Sequence, residues 1–438
     1  MKVRRTLAVL AALALLCALC ACGEGAGKPP RASGGVLTLS DGGSGADAAG
    51  VRVSGDTVTI TAGGTWRVGG SLSRGRLRVD CGGEAELVLT GVSITNPDGP
   101  ALEIVGGSVR ITLAEGSENV LVSGGPADAK SPAEEASGAA LRAKGSLAVD
   151  GFGSLRVFGY INNGIAAGSL SILGGTVAVT AANHGLKGSG GVAVSGGTVS
   201  VSAAADGFHS DGDILICGGC VTVEAGDEGL SADGEIGITD GLVTVARSRE
   251  GAEGHRILVS GGSLSVEAED DGLNAGGGPD LPLLCISGGS VYVNAGGDGL
   301  DSNGDLRVEG GSVTVDGPEK GDGALDPGRE NGGSMTVDGG TVLALGAAEA
   351  AETFDPASAQ CSFRLYLPAD APAGTELAVE AGDGTVLCRY VSAKAFGSVV
   401  FSSPALSPGE EVAVAVGSER FAFRLDGVSV TFGSAPEG

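Results

Sequence analysis

Aromatic side chains are nearly missing from this chain: one Trp, four Tyr and ten Phe make up 3% of 438 residues. That excludes a conventional core built around rings. Positive charge is also scarce, with 27 Lys and Arg against 53 Asp and Glu and a formal net charge of −26. Phosphate recognition needs clustered Lys and Arg, so nucleic acid is excluded as a partner. The longest apolar run, Leu7 to Ala21, is fifteen residues, short of the ~20 needed to span a bilayer. No stretch shows a helical period. Histidine is represented only by His184, His209 and His255, which form no triad with a serine and read as surface residues. A strict Gly-X-Y period is absent, so the 82 glycines do not mean collagen.

What the chain has instead is a repeated phrase. It runs Asn163-Gly164-Ile165, His184-Gly185-Leu186, Asp206-Gly207-Phe208, Glu228-Gly229-Leu230, Glu250-Gly251-Ala252, Asp271-Gly272-Leu273, Asp298-Gly299-Leu300 and Asp322-Gly323-Ala324. The glycines step by 21, 22, 22, 22, 21, 27 and 24 residues. In phase with them stand Gly174-Gly175, Gly196-Gly197, Gly218-Gly219, Gly261-Gly262, Gly288-Gly289 and Gly310-Gly311. A fixed period in this range marks units that cannot bury an apolar face alone and stack on their neighbours.

Within a unit such as Leu306-Arg-Val-Glu-Gly-Gly-Ser-Val-Thr-Val315, apolar and polar residues alternate, the mark of strands. Leu306, Val308, Val313 and Val315 point inward, and glycines turn the corners. Three short strands per turn of about 22 residues predict an all-β fold, a right-handed parallel β-helix over residues 36–353. The extra residues Gly276 to Pro282 read as a bulging loop, and Ser123 to Ser137 as a protruding one. From Phe354 the period is gone. Short alternating runs such as Phe363-Arg-Leu-Tyr-Leu367 predict a small C-terminal β domain over 354–438, placed to cap the exposed last rung.

The start of the chain sets the compartment. Lys2, Arg4 and Arg5 precede the apolar run, which closes in Leu19-Cys20-Ala21-Cys22-Gly23. This reads as a secretory signal over 1–21. It also resembles a bacterial lipobox, which makes Cys22 the lipidated first residue, holding a monomer on the outer face of the cell membrane. Residues 22–35, rich in Gly and Pro, read as a tether. Export permits disulfides. Cys217 and Cys220 flank a tight turn, suiting a local bridge or two thiols, and Cys361 and Cys388 are candidates for a bridge in the last domain.

Outward positions stack into columns. Before the phrase glycine stand Asp206, Glu228, Glu250, Asp271, Asp298 and Asp322. Two places after it come His209, Ser231, Glu253, Asn274 and Asp301, and four places after it Asp211, Asp233 and Asn303. Asp227 and Asp270 lie beside the first column, and Asp326 extends the last rung. Adjacent rungs are ~4.8 Å apart. Two carboxylates about 5 Å apart repel by roughly 3 kcal/mol at an effective dielectric near 20. Such a ladder must splay into solvent, take up protons or share cations. Hard oxygen donors at glycine-rich turns suit calcium. The groupings are Asp206, Asp211 and Glu228 with Asp233, then Glu250 and Glu253 with Asp271 and Asn274, then Asp298, Asp301 and Asn303 with Asp322 and Asp326. The plain alternative is that Asp-Gly and Asn-Gly make good turns, which accounts for the first column but not for the others.

Ala182-Asn-His-Gly-Leu-Lys187, Asp206-Gly-Phe-His-Ser-Asp-Gly212, Asp270-Asp-Gly-Leu-Asn-Ala275, Gly297-Asp-Gly-Leu-Asp-Ser-Asn-Gly304 and Gly323-Ala-Leu-Asp326 together resemble a family of secreted bacterial carbohydrate-binding domain-containing proteins. The resemblance covers most of 36–346 and implies a pectate-lyase-like β-helix that binds calcium and associates with cellulose and polygalacturonate. Ala166-Ala167-Gly168 and Gly188-Ser189-Gly190 depart from that pattern, lacking the Lys-Asp or Asp residues it carries there.

Three functions compete. The first is a surface lipoprotein binding an acidic or plant-type polysaccharide, with calcium as cement and bridge. Crystalline cellulose fits less well, because a flat aromatic platform has only Trp66 and four tyrosines to draw on. The second is a calcium-dependent lyase acting by β-elimination on uronate polymers, with Lys187, Arg247, Arg249, Arg256, Arg307 and Lys320 as candidate bases. No catalytic residue stands out, and acids on every rung suit a ladder better than one hydrolytic pair. The third is a structural adhesin.

Overall fold

The structure, a computed structural model, describes residues 34–126 and 138–435. The expected signal, Cys22, nearly all of the tether and residues 127–137 of the protruding loop lie outside the described residues. The chain divides into two compact units, one ending at Ala232 and one starting at Asp233. No described residue is α-helical, and among the described residues no helix is long and apolar enough to cross a membrane.

In the first unit each period supplies three strands, for example Leu186–Gly188, Gly191–Val194 and Thr198–Ala203. Each pairs in parallel with its counterpart one period on, giving Leu186↔Phe208, Val192↔Ile214 and Val199↔Val221. Because side chains alternate across a strand, these residues all face one interior and are at most 2% exposed. Stacked Val, Leu and Ile thereby form a core with few rings. At the start of the unit, Val51–Ser54 pairs antiparallel with Thr57–Ile60. Trp66 is fully buried, its indole N–H donating to the Ala62 carbonyl at 3.0 Å, so it is no platform for a sugar.

Both glycine corners are tightly packed, and they differ in backbone angle. The second residue of each Gly-Gly pair has a positive φ, as at Gly197 (79°) and Gly219 (83°), a backbone shape that costs other residues. The phrase glycines have ordinary φ but no room. A Cβ on Gly207 would lie 2.1 Å from Val223 Cγ1 and 2.7 Å from the Gly229 carbonyl oxygen, so close packing demands glycine there.

The second unit repeats the pattern. Leu273–Ala275, Leu300–Ser302 and Leu325–Pro327 pair in parallel, with Leu273↔Leu300 and Leu300↔Leu325 in register. The bulging loop is tied back by a 2.7 Å contact between His255 Nδ1 and the Gly277 carbonyl. The one-period pairing ends with Met335–Gly346, which joins Phe396–Ser402 antiparallel. The tail adds Ser362–Ala371 and a four-stranded sheet of Val386–Val391, Glu376–Ala381, Glu411–Val416 and Glu419–Arg424. Here rings do form a core, with Phe363 packed 5.7 Å from Phe401 and 5.2 Å from Phe423.

The expected boundary at 353/354 falls inside this unit, and a buried carboxylate joins its two sides. Asp316, 1% exposed, accepts hydrogen bonds from Tyr292 at 3.2 Å and from Tyr390. Burial raises both phenol pKa values, that of Tyr292 to about 12. Among the described residues no two cysteines form a disulfide. The proposed Cys361–Cys388 bridge is absent for a geometric reason. Cys361 precedes Ser362–Ala371 with its thiol on the Gly427 carbonyl at 3.3 Å, whereas Cys388 lies in the other sheet opposite Val379.

Candidate functional site

In the first unit the phrase residues Asn163, His184, Asp206 and Glu228 stack as one column. Their backbones hold it, since Gly164 N–H donates to the His184 carbonyl (3.0 Å), Gly185 N–H to that of Asp206 (2.9 Å) and Gly207 N–H to that of Glu228 (2.9 Å). Beside it, strand register sets Lys187 next to His209 and His209 next to Ser231. The two imidazoles stack, centroids 4.3 Å apart at 21°. Both turn Nδ1 toward Asp206 Oδ2, His209 at 2.8 Å and His184 at 3.0 Å. The His184 contact is close but not aligned as a hydrogen bond. His209 Nε2 lies 3.3 Å from Asp211 Oδ1, so both nitrogens of this ring meet carboxylates.

Asp206 is only 4% exposed. Burial would raise its pKa, but contacts with His184, His209 and Glu228 outweigh that and hold it well below the usual carboxylate range. The hydrogen bond to Asp206 raises the His209 pKa, burial opposes this, and the charges of Asp206 and Asp211 support it against Lys187. The pair is thus an ion pair by mutual stabilisation. These histidines are not the ordinary surface residues that spacing alone suggested. Aligning the period at 22 residues would have found them, because it stacks His184 on Asp206 and Lys187 on His209. Asp227 and Glu228 also bring carboxylate oxygens within 4.8 Å of Asp206.

The second unit places Asn274, Asp301 and Asp326 side by side in register. Asp271, Asp298 and Asp322 stand before the phrase glycines of the same rungs. The turn reading accounts for part of this column: Asp271 Oδ1 accepts the Asp298 N–H at 2.8 Å, and Asp298 Oδ1 the Gly323 N–H at 2.6 Å. Those bonds do not relieve the crowding. Burial and like charge lift Asp271 to about 6, Asp298 to about 7 and Asp301 to about 8. For Asp301 the neighbouring charges are Asp271, Asp298, Asp326 and Glu330. Burial and Glu330 raise Asp326 as well.

Asn274 donates from Nδ2 to Glu250 Oε2 at 3.3 Å, while its Oδ1 is buried without a hydrogen-bond partner. Glu250 is buried and ion-paired with Arg249 Nη1 at 2.5 Å; Asp270 lies 3.6 Å from the same nitrogen. Asp233, Glu253, Asn303 and Asp322 are exposed. Of the candidate bases, Arg249, Arg256 and Arg307 are each held by acids, Arg256 by Glu235 at 3.4 Å and Arg307 by Asp305. Arg247 and Lys320 are exposed.

The sequence model of a family described as carbohydrate-binding domain-containing protein matches residues 54–282, over half of the chain. The chain belongs to that family. The matched segment includes the whole His184–Asp206–His209 cluster and the first acids of the second unit. A carbohydrate-binding domain-containing protein of Acetivibrio thermocellus is 35% identical over 136 residues, 30% of this chain and 48% of that protein. The chain thus spans about half the length of this member of the carbohydrate-binding family. A solved chain described as the polysaccharide lyase-like protein from C. thermocellum, a gadolinium derivative, is 27% identical. It covers 59% of this chain and 94% of its own at a TM-score of 0.42, too loose a likeness to bear on fold or function.

Proposed function

We propose that this protein binds acidic or plant-type polysaccharide outside the cell, on a repeat that coils as a right-handed parallel β-helix and is cemented by calcium. Membership of the carbohydrate-binding family supports the ligand class. The observation that carries the calcium reading is the second unit's ladder. Its carboxylates are crowded enough to retain protons near neutral pH, and the buried Asn274 Oδ1 beside them lacks a donor. An oxygen-only set with an orphaned amide oxygen fits a hard cation. Asp271, Asn274, Asp298, Asp301 and Asp326 would hold it, with Asp322 at the edge. Bound calcium would supply the positive charge that this ridge lacks.

The first unit needs less of that charge, because His184 and His209 already face Asp206; Asp211, Asp227 and Glu228 remain its candidate ligands. Lipidation at Cys22, a place on the outer face of the cell membrane and a monomeric state belong to the same proposal and rest on Leu19-Cys20-Ala21-Cys22 and the charge pattern. Acidic polymers are favoured over crystalline cellulose because Trp66 is buried and Tyr292 and Tyr390 are engaged by Asp316.

A lyase is the second reading, favoured by Lys187. Its side chain is 16% exposed and 4.0 Å from Asp211, at the edge of an open groove. One experiment separates the readings. Protein incubated with polygalacturonate and calcium is assayed by pull-down and by the ultraviolet absorbance of unsaturated products. Pull-down without absorbance is expected; signal in both assays means a lyase, and neither means a spacer.

A further inference from the structure

Against a net charge of −26, one place on the first unit is locally basic. Register sets Arg142 beside Ala166 and Ala166 beside Lys187 in the outward column. Neighbouring strands lie ~4.8 Å apart, so two cations flank a single methyl group from opposite sides at roughly 10 Å. The small side chain leaves a groove of about 360 Å³ over this rung, lined by Arg142, Lys144, Asn163, Ala166, Lys187 and Ser189, with Asp211 at one edge. That is within the size range of small-ligand clefts. Among the described residues, neither Arg142 nor Lys144 is in an ion pair.

The departure from the family pattern at Ala166-Ala167-Gly168 thus has a structural consequence. Where later rungs carry acids, this one carries small residues between cations. We infer that this groove is the glycan site, and that it takes an anionic sugar whose acid group is captured directly by Arg142 and Lys187, with no cation between.

The chemistry suits the three cations differently. The Arg142 guanidinium is planar and offers paired donors to a carboxylate or sulfate. Lys187 and Lys144 act as point charges, and Asn163 and Ser189 offer polar groups to sugar hydroxyls. Asp211 repels an acid group placed at its end, which favours one register of the chain along the groove. A locally basic stretch also explains how a protein this acidic can hold an acidic polymer: although Glu103 lies beside Arg142 and Asp211 at the groove edge, Arg142, Lys144 and Lys187 outnumber the one acid lining the groove. This inference rests on the polysaccharide-binding reading above and adds its location and the charge of the ligand.

The test uses the full chain in calcium, with three probes of equal length: an oligogalacturonate, its methyl ester and a sulfated galactan. The parent is expected to bind at least one acidic probe tenfold or more tighter than the ester, and the tighter acid identifies the group. Arg142→Gln with Lys187→Gln should abolish that preference, whereas Asp301→Asn should keep it. If the double variant does not fold, added salt serves in its place and should weaken acidic binding by the parent more than ester binding. Equal affinity for acid and ester, or a double variant that keeps the preference, would overturn the site while leaving polysaccharide binding intact. A parent that binds none of the three sinks both.

Discussion

In the first unit the corner acid Asp206 faces two imidazoles as well as Asp227 and Glu228; in the second, Asp271 and Asp298 face further acids. Asp206 is buried against the Nδ1 edges of the stacked His184 and His209 rings, and its pKa is held down. Asp298 occupies the matching position of the repeat and Asp301 the position of His209, and theirs are driven up to about 7 and 8. The backbone scaffold is the same in both, a glycine corner closed by parallel hydrogen bonds one period apart. A repeat therefore fixes where outward side chains stand, and the residue chosen in each period decides whether the column compensates its own charge or leaves like charges crowded.

The comparison can be broken hardest at Asp206. Asp206→Ala leaves His184 and His209 without the buried carboxylate that both face, and stability should fall by about 3 kcal/mol with or without calcium. Denaturant unfolding measures it; a loss that calcium restores would mean that the first unit also depends on metal.

Next comes the corner itself. Gly207→Ala forces a Cβ onto Val223 and the Gly229 carbonyl, an overpacking cost of about 2–3 kcal/mol. Gly219→Ala meets a positive φ and sets a Cβ 2.9 Å from the Gly197 carbonyl oxygen, a looser clash than the 2.1 Å at Gly207, and should cost about 1–2 kcal/mol. A reversed order in melting would show that the Val223 side chain yields to a Cβ more readily than a positive φ admits one.

The pH response separates the units without mutation. Asp271, Asp298 and Asp301 have folded-state pKa values above the ordinary 3.8. The folded protein thus holds protons that the unfolded chain releases. Their contribution is complete below about pH 4 and is lost as pH rises through about 6, 7 and 8. Chelated protein should melt several degrees lower at pH 8.5 than at pH 5, and calcium should flatten the difference. His209, also raised, adds stability below its ordinary 6.5 that fades as pH passes its folded value. Asp206 does the reverse, losing its contribution only in strong acid.

The smallest effect is the most specific. Asp301→Asn removes one repelling charge, so at pH 8 it should stabilise chelated protein by about 1 kcal/mol, yet lower the melting temperature in calcium. The same sign in both media would contradict a metal role for Asp301.

Much of this was legible in the sequence because a fixed period converts spacing into neighbourhood. Three strands per period, inward Val and Leu, and the alignment of Asn274, Asp301 and Asp326 all follow from counting. The phrase glycines were read as turn formers, because nothing in a linear sequence reveals that Val223 occupies the space a Cβ would need. His184 and His209 were read one at a time, and their shared contact with Asp206 appears only when residues 22 apart are compared in two columns at once. The Asp316 clamp was missed for another reason: Tyr390 lies 74 residues away, outside the period.

The central claim is that the second unit's acids are held together by calcium whereas the first unit holds itself. Hydrogen–deuterium exchange in calcium and after chelation at pH 8 tests it directly, strand by strand. Chelation is expected to strip protection from Leu300–Ser302 and Leu325–Pro327 while leaving Leu186–Gly188 and Phe208–Ser210 protected. Equal protection of all four strands with and without calcium would contradict the account.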